Sequence, residues 1–241
     1  MDKTPDKTPT IEDVSAASDS MADAVEAFVY DGDRLEGAHQ SGEPKRRGLL
    51  LGGDDPRDTM LEEIPQAEDV VYTGCIFNVN RLRVSLPNGR EAVRDVVRHP
   101  GAVAIVALTD DGRICLVRQY RTALGRVTIE IPAGKLDPGE DPLVCAKREL
   151  REETGMEADQ MAFLTTIGTS VGFCDELIHI YMATGLRFVA SNPDDDEFLN
   201  VDLVPLPELI DAVLDGRIED CKTVTGALIC DAVSHRLSAE R

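Results

Sequence analysis

Hydrophobic and polar positions change their spacing along this chain, and the changes divide it into three stretches. Over residues 1 to about 68, Ile11, Val14, Met21, Val25 and Phe28 recur at helical spacing behind Thr10-x-x-Asp13, a start resembling a capping box. The rest of that stretch is rich in Asp, Glu, Gly, Ser and Pro. It is expected to be an acidic, flexible leader with one amphipathic helix. From Val70 the pattern becomes strand-like. Arg81 to Leu86 alternates, Pro87-Asn88-Gly89 supplies a turn, and Glu91 to Val97 returns, which predicts an antiparallel hairpin. Ala102 to Leu108 is a continuous apolar run, expected as a buried strand, with Ile114 to Arg118 as its hairpin partner across Thr109-Asp110-Asp111-Gly112. Val127 to Ile131, Phe163 to Thr166, Leu177 to Ala183 and Leu203 to Pro205 read as further strands. Helical spacing predicts helices over Pro142–Thr154, Leu206–Leu214 and Thr223–Arg236. Strands on both sides of a central helix imply a mixed α/β domain.

Charge narrows the partners. The 241 residues carry 25 Lys and Arg against 45 Asp and Glu, a net charge of −20. That balance excludes a nucleic-acid partner, which needs clustered cations, and disfavours anionic membrane surfaces. A phosphate-bearing ligand would need local cations or a metal to offset the field. No apolar run approaches the ~18 residues that span a bilayer, and the N-terminus lacks the apolar segment of a signal peptide. The six cysteines contain no Cys-x-x-Cys pair and do not cluster with the four histidines. Reduced thiols in a cytoplasmic protein are the expectation, without structural zinc.

The chemistry concentrates between residues 134 and 156. Asp141 suits an N-cap, Pro142 the first helical position and Gly155 the stop, so the helix runs from Pro142 to about Thr154. Glu149, Glu152 and Glu153 then project from one face, while Leu143, Ala146 and Leu150 line another. Like charges at this spacing repel by a few tenths of a kcal/mol per pair, roughly. A hard divalent cation, Mg²⁺ or Mn²⁺, removes that repulsion by taking carboxylate oxygens and leaves sites for substrate phosphates. The alternative is a solvated acidic helix end with Lys147, Arg148 and Arg151 as partners. Arg148 can also pair with Glu140 across the loop–helix junction.

Gly134, Glu140, Arg148-Glu149-Leu150, Glu152-Glu153 and Gly155-Met156 match the full spacing of the box that defines the Nudix hydrolases, which this chain resembles. Seven fixed identities arise by chance on the order of 10⁻⁸ to 10⁻⁹ per start point. The resemblance implies a Nudix-type α/β/α sandwich with a mixed sheet over residues 101–238, preceded by N-terminal antiparallel strands over 69–100. It implies metal-dependent hydrolysis of a nucleoside diphosphate linked to another group. Glu149, Glu152 and Glu153 would be metal ligands together with the backbone carbonyl of Ala133, and Arg148 and Glu140 would orient them.

Further segments resemble the ADP-ribose pyrophosphatase branch. Arg121, ending Leu116-Val117-Arg118-Gln119-Tyr120-Arg121, would reach a phosphate or ribose. Arg94 resembles an arginine contributed across a homodimer in which the N-terminal strands are exchanged. Gly134 and Glu176 belong to the substrate site by the same resemblance. Asn192-Pro193-Asp194-Asp195-Asp196-Glu197 resembles the acidic loop that positions the attacking water, with Glu197 as general base and Asp194 or Asp196 as alternatives. Val171 stands where this branch usually has proline, which opens a second reading, a substrate other than ADP-ribose. A non-catalytic ADP-ribose sensor is the third, and the intact glutamate set counts against it.

Overall fold

The computed structural model describes residues 58–189 and 198–239. Its strands are β1 (Ile64–Thr73), β2 (Asn78–Ser85), β3 (Glu91–Arg98), β4 (Ala102–Ala107), β5 (Arg113–Arg121), β6 (Arg126–Glu130), β7 (Ala133–Lys135), β8 (Met156–Gly168), β9 (Leu177–Phe188) and β10 (Leu199–Pro205). The helices are α1 (Pro142–Thr154), α2 (Leu206–Leu214) and α3 (Cys221–Ala239). The amphipathic stretch 11–28 lies outside the described residues.

Every residue of β4 is buried. Successive side chains of a strand point to opposite faces, and here both faces are covered. Ala104 and Val106 pack with Leu209 and Ala212 of α2 and with Ala227, Cys230 and Val233 of α3. Val103, Ile105 and Ala107 pack with Cys145, Ala146 and Leu150 of α1. β4 pairs in parallel with β9 and antiparallel with β7, and β9 pairs antiparallel with β8, so the sheet order is β7-β4-β9-β8. A strand covered by helices on both sides has no polar face to present, which is why its sequence reads as an unbroken apolar run. The result is a mixed sheet between helical layers, the expected α/β/α sandwich.

Several expected elements differ in extent or pairing. β5 is not the hairpin partner of β4: the two share only the isolated bridge Leu108↔Ile114. Both edges of β4 are occupied by β7 and β9, so β5 joins β10 and β6 in a separate antiparallel sheet. β8 begins at Met156 rather than Phe163. Its early residues are polar because they lie partly in solvent, where Arg187 of β9 ion-pairs with Glu157 and Asp159. β10 starts at Leu199, with Asp202 held by Arg118 of β5 at 2.5 Å. α3 starts at Cys221 because the Asp220 side chain accepts the Thr223 N–H at 3.0 Å, as a cap does. The three-residue β7 went unpredicted.

β1, β2 and β3 form an antiparallel sheet of their own, in that order. β1 begins at Ile64, inside the stretch expected to be leader. Its outward positions on both faces lie open on this chain, so no alternation marks it. The sheet is tied to the β8–β9 loop by the Val97 N–H to the Phe173 carbonyl (2.7 Å) and the Asp175 N–H to the Val97 carbonyl (3.1 Å). Arg98 adds an ion pair to Asp175 (3.0 Å) and another to Glu68 of β1 (2.8 Å).

Candidate active site

α1 carries the site, and its ends are set locally. Asp141 adopts an extended conformation, and one of its oxygens accepts the N–H groups of Leu143 (2.9 Å) and Val144 (3.1 Å). Pro142 follows at the first helical position, where a missing N–H costs nothing. At the other end Gly155 takes the left-handed conformation, φ 65°, and donates its N–H to the Arg151 carbonyl. With Cys145, Ala146 and Leu150 fixed in the core, the rotation of the helix is settled. Arg148, Glu149, Glu152 and Glu153 therefore face the loop around β7.

That loop receives the acids closely. The Glu153 carboxylate, almost wholly buried, accepts the Ala133 N–H at 3.0 Å. Glu149, also buried, lies against Gly134 so tightly that a Cβ there would stand 1.9 Å from its carboxylate carbon. Gly134 is thus a glycine for reasons of space. Arg148 gathers the rest. Its Nε and Nη2 donate in parallel to the two oxygens of Glu140, each at 2.9 Å, while Nη1 donates to Glu149 (2.7 Å) and Glu152 (2.9 Å). Glu140 also accepts the Asp137 N–H at 3.0 Å, which closes the loop onto the helix. Hydrogen bonding to Arg148 holds the Glu140 carboxyl down at about 2, against the burial that opposes it. The Arg148 guanidinium is raised in turn, first by Glu140 and then by its other carboxylate partners. Beneath it, burial pushes the Cys145 thiol up to about 12, which makes it an inert packing group.

The expected pairing of Arg148 with Glu140 is therefore present, and the three glutamates are not splayed into solvent. The set also differs from a finished cage. Among the described residues, no three acidic, His or Cys side chains already stand in a metal-holding arrangement. Glu149 and Glu152 are instead turned onto one nitrogen of Arg148. The chemistry of the donors nevertheless fits a divalent cation. Glu140, Glu149 and Glu152 set three carboxylates around one guanidinium, with Glu153 held beside them by the Ala133 N–H, and such hard oxygens are what Mg²⁺ and Mn²⁺ select.

The other predicted residues are scattered more widely. Arg121 donates through Nε (2.8 Å) and Nη2 (2.7 Å) to Glu130. Glu176 lies in the β8–β9 loop, accepting from Thr169 at 2.9 Å with His99 at 3.3 Å. Arg94 is exposed on β3 and bonds Glu63 at 2.5 Å, so a single chain holds it on the N-terminal sheet. Glu197, Asp194 and Asp196 lie outside the described residues. Val171 is 87% exposed at the turn before Gly172. His179 of β9 is partly buried and shares a hydrogen bond with Thr166. Sequence reasoning missed Glu130 and Lys222, a buried ion pair beside Arg121. The available signal was a glutamate set between Ile129 and Ile131, directly ahead of Pro132.

This box, on this sandwich, is that of a known family. The model of the NUDIX domain matches residues 98–223, and the chain belongs to that family, as a Nudix hydrolase. It is 44% identical over 167 residues to the methanol dehydrogenase activator of Bacillus methanolicus, covering 68% of this chain and 90% of that protein. It is 41% identical over 165 residues to the ADP-ribose pyrophosphatase of Bacillus subtilis strain 168, covering 68% and 89%. A crystal structure of an ADP compounds hydrolase superposes with a TM-score of 0.64 at 23% identity, covering 75% of this chain and 97% of that one, a likeness of fold. Nudix hydrolases generally use divalent metal ions.

Proposed function

We propose that this protein hydrolyses the pyrophosphate bond of ADP-ribose or a related nucleoside diphosphate sugar, releasing AMP and a sugar phosphate. The observation that carries the reading is the intact acid cluster: Glu149, Glu152 and Glu153, seated by Gly134 and Ala133 and organised by Arg148 and Glu140. Its similarity to an ADP-ribose pyrophosphatase across most of both chains supports the substrate.

In this reading Glu149, Glu152, Glu153 and the Ala133 carbonyl hold Mg²⁺ or Mn²⁺. When bound, the ion neutralises the pyrophosphate and lowers the pKa of water. Arg148, anchored on Glu140, keeps the acids together and ionised. Arg121 binds a phosphate or ribose oxygen, and Glu176 lines the same site. Glu197, or else Asp194 or Asp196, takes the proton of the attacking water.

Two chains complete the enzyme. β1 and β3 leave Ile64, Val70, Tyr72 and Val93 exposed, apolar side chains that exchange of the N-terminal strands in a homodimer covers. The same exchange carries Arg94 to the other subunit's substrate. Free cysteines throughout support a reducing, cytoplasmic setting. Among the described residues no helix is long and apolar enough to cross a membrane.

Purified protein with ADP-ribose and Mg²⁺ is expected to release AMP and ribose 5-phosphate. No turnover at any metal concentration would sink the reading. A second reading, a different nucleoside diphosphate derivative, rests on exposed Val171 where the ADP-ribose branch has proline. Ranking ADP-ribose, GDP-mannose and diadenosine polyphosphates by kcat/KM separates the two.

A further inference from the structure

Among the described residues, the buried polar side chains fall into two groups. One is on α1, in the site above. The other is Thr128 and Glu130 of β6 with Lys222 and Thr223 of α3. In this second group Glu130 is 3% exposed and Lys222 7%. One Glu130 oxygen accepts from Arg121 Nε (2.8 Å) and Thr128 (2.6 Å), and the other from Arg121 Nη2 (2.7 Å) and the Lys222 ammonium. Lys222 also pairs with Asp220 at 3.0 Å. Arg121 and Lys222 are thus closed on Glu130 and Asp220, and of these cations Arg121 reaches the surface, its side chain 42% exposed.

A buried ion pair is a weak source of stability, because apolar residues of the same volume generally serve as well. What it does provide is a fixed geometry. Arg121 uses two of its three nitrogens on Glu130, and Nη1 has no hydrogen-bond partner among the described residues. A long exposed side chain held in a plane at its inner edge presents its outer edge to a ligand already oriented. The same helix start reaches the box. Thr223 Oγ1 accepts the Ile131 N–H at 2.9 Å, two residues before the Ala133 N–H that holds Glu153.

We propose that Lys222 is a positioning residue for the substrate: through Glu130 it orients Arg121, so that Nη1 meets a phosphate or ribose oxygen of the nucleoside diphosphate sugar. The inference rests on the reading under Proposed function. Lys222 touches no reacting atom, and its effect is on binding.

The test is steady-state kinetics of the full chain with Mg²⁺, on ADP-ribose and GDP-mannose. In K222M, KM for whichever substrate the wild type turns over rises about tenfold while kcat stays within about threefold, since orientation is lost and the acid cluster is not. K222R keeps the cation and brings KM back toward wild type. On an R121Q background K222M adds no further rise in KM, because its target is gone. Should K222M fail to fold, K222M/E130Q removes both buried charges and is expected to show the same rise. An unshifted KM in a folded variant, or effects that add fully to those of R121Q, would overturn the inference and leave Lys222 a structural residue. Turnover of GDP-mannose alone overturns the substrate reading and leaves the Lys222 effect to be read on that substrate. No turnover by the wild type overturns both.

Discussion

Gly134 and Glu149 show how a single position controls the site. The carboxylate of Glu149 fills the space a side chain at 134 would need, so Gly134→Ala must push it outward while leaving a backbone that alanine can adopt. The expected outcome is a folded protein whose kcat falls about a hundredfold and whose Mn²⁺ affinity, read by titration calorimetry, drops with it. Glu152→Gln and Glu153→Gln each lower kcat by a similar order or more, with the melting temperature little changed for Glu152, the most exposed of the three. Arg148→Ala differs in kind. It frees three carboxylates from one guanidinium, so both activity and melting temperature fall, and a variant that lost neither would remove Arg148 from its organising role.

The box helix was readable because its signals are local. Asp141, Pro142 and Gly155 mark its ends, and an i, i+3, i+4 set of glutamates sits opposite an apolar stripe. Asp141→Ala is expected to cost about 1 kcal/mol of stability by removing two N–H acceptors, and Gly155→Ala about the same for its left-handed φ, both measured by urea denaturation. α2 matches the predicted span at both ends. Strands were read less completely. β8 and β9 pair along most of their length, including polar residues whose partners are ion pairs with Arg187, and no period in the sequence announces such a partner. The supposed β4–β5 hairpin fails for the same reason, since which strand edges are already occupied is a property of the assembled sheet.

At the scale of the whole molecule, two features link distant segments. The Glu130 carboxyl is pushed up by burial, but Arg121 and Lys222 overcome this and hold it at about 2, against an ordinary 4.5. A depressed folded value means the unfolded chain binds the proton more readily, so this stability is present above about pH 4.5 and is lost as pH falls toward 2. Glu130→Gln should therefore flatten the denaturation curve across that acid window. The second feature is the N-terminal sheet. In the homodimer proposed above, deleting residues 1–57 is expected to preserve activity and assembly, whereas deletion through Thr73 removes β1 and should leave a monomer, as read by light scattering.

The sequence by itself determined the family, the box helix with its caps and acids, and the apolar strand at the centre of the sandwich, since each depends on neighbours within a few residues. Only the tertiary structure decided that Arg148 collects Glu140, Glu149 and Glu152 together, and that Glu130 and Lys222, 92 residues apart, form one buried pair behind Arg121. Arg148 and Glu152 are an i, i+4 pair of one helix, but Arg148 with Glu140 and Glu130 with Lys222 join separate segments, and those contacts exist only once packing has brought the segments together.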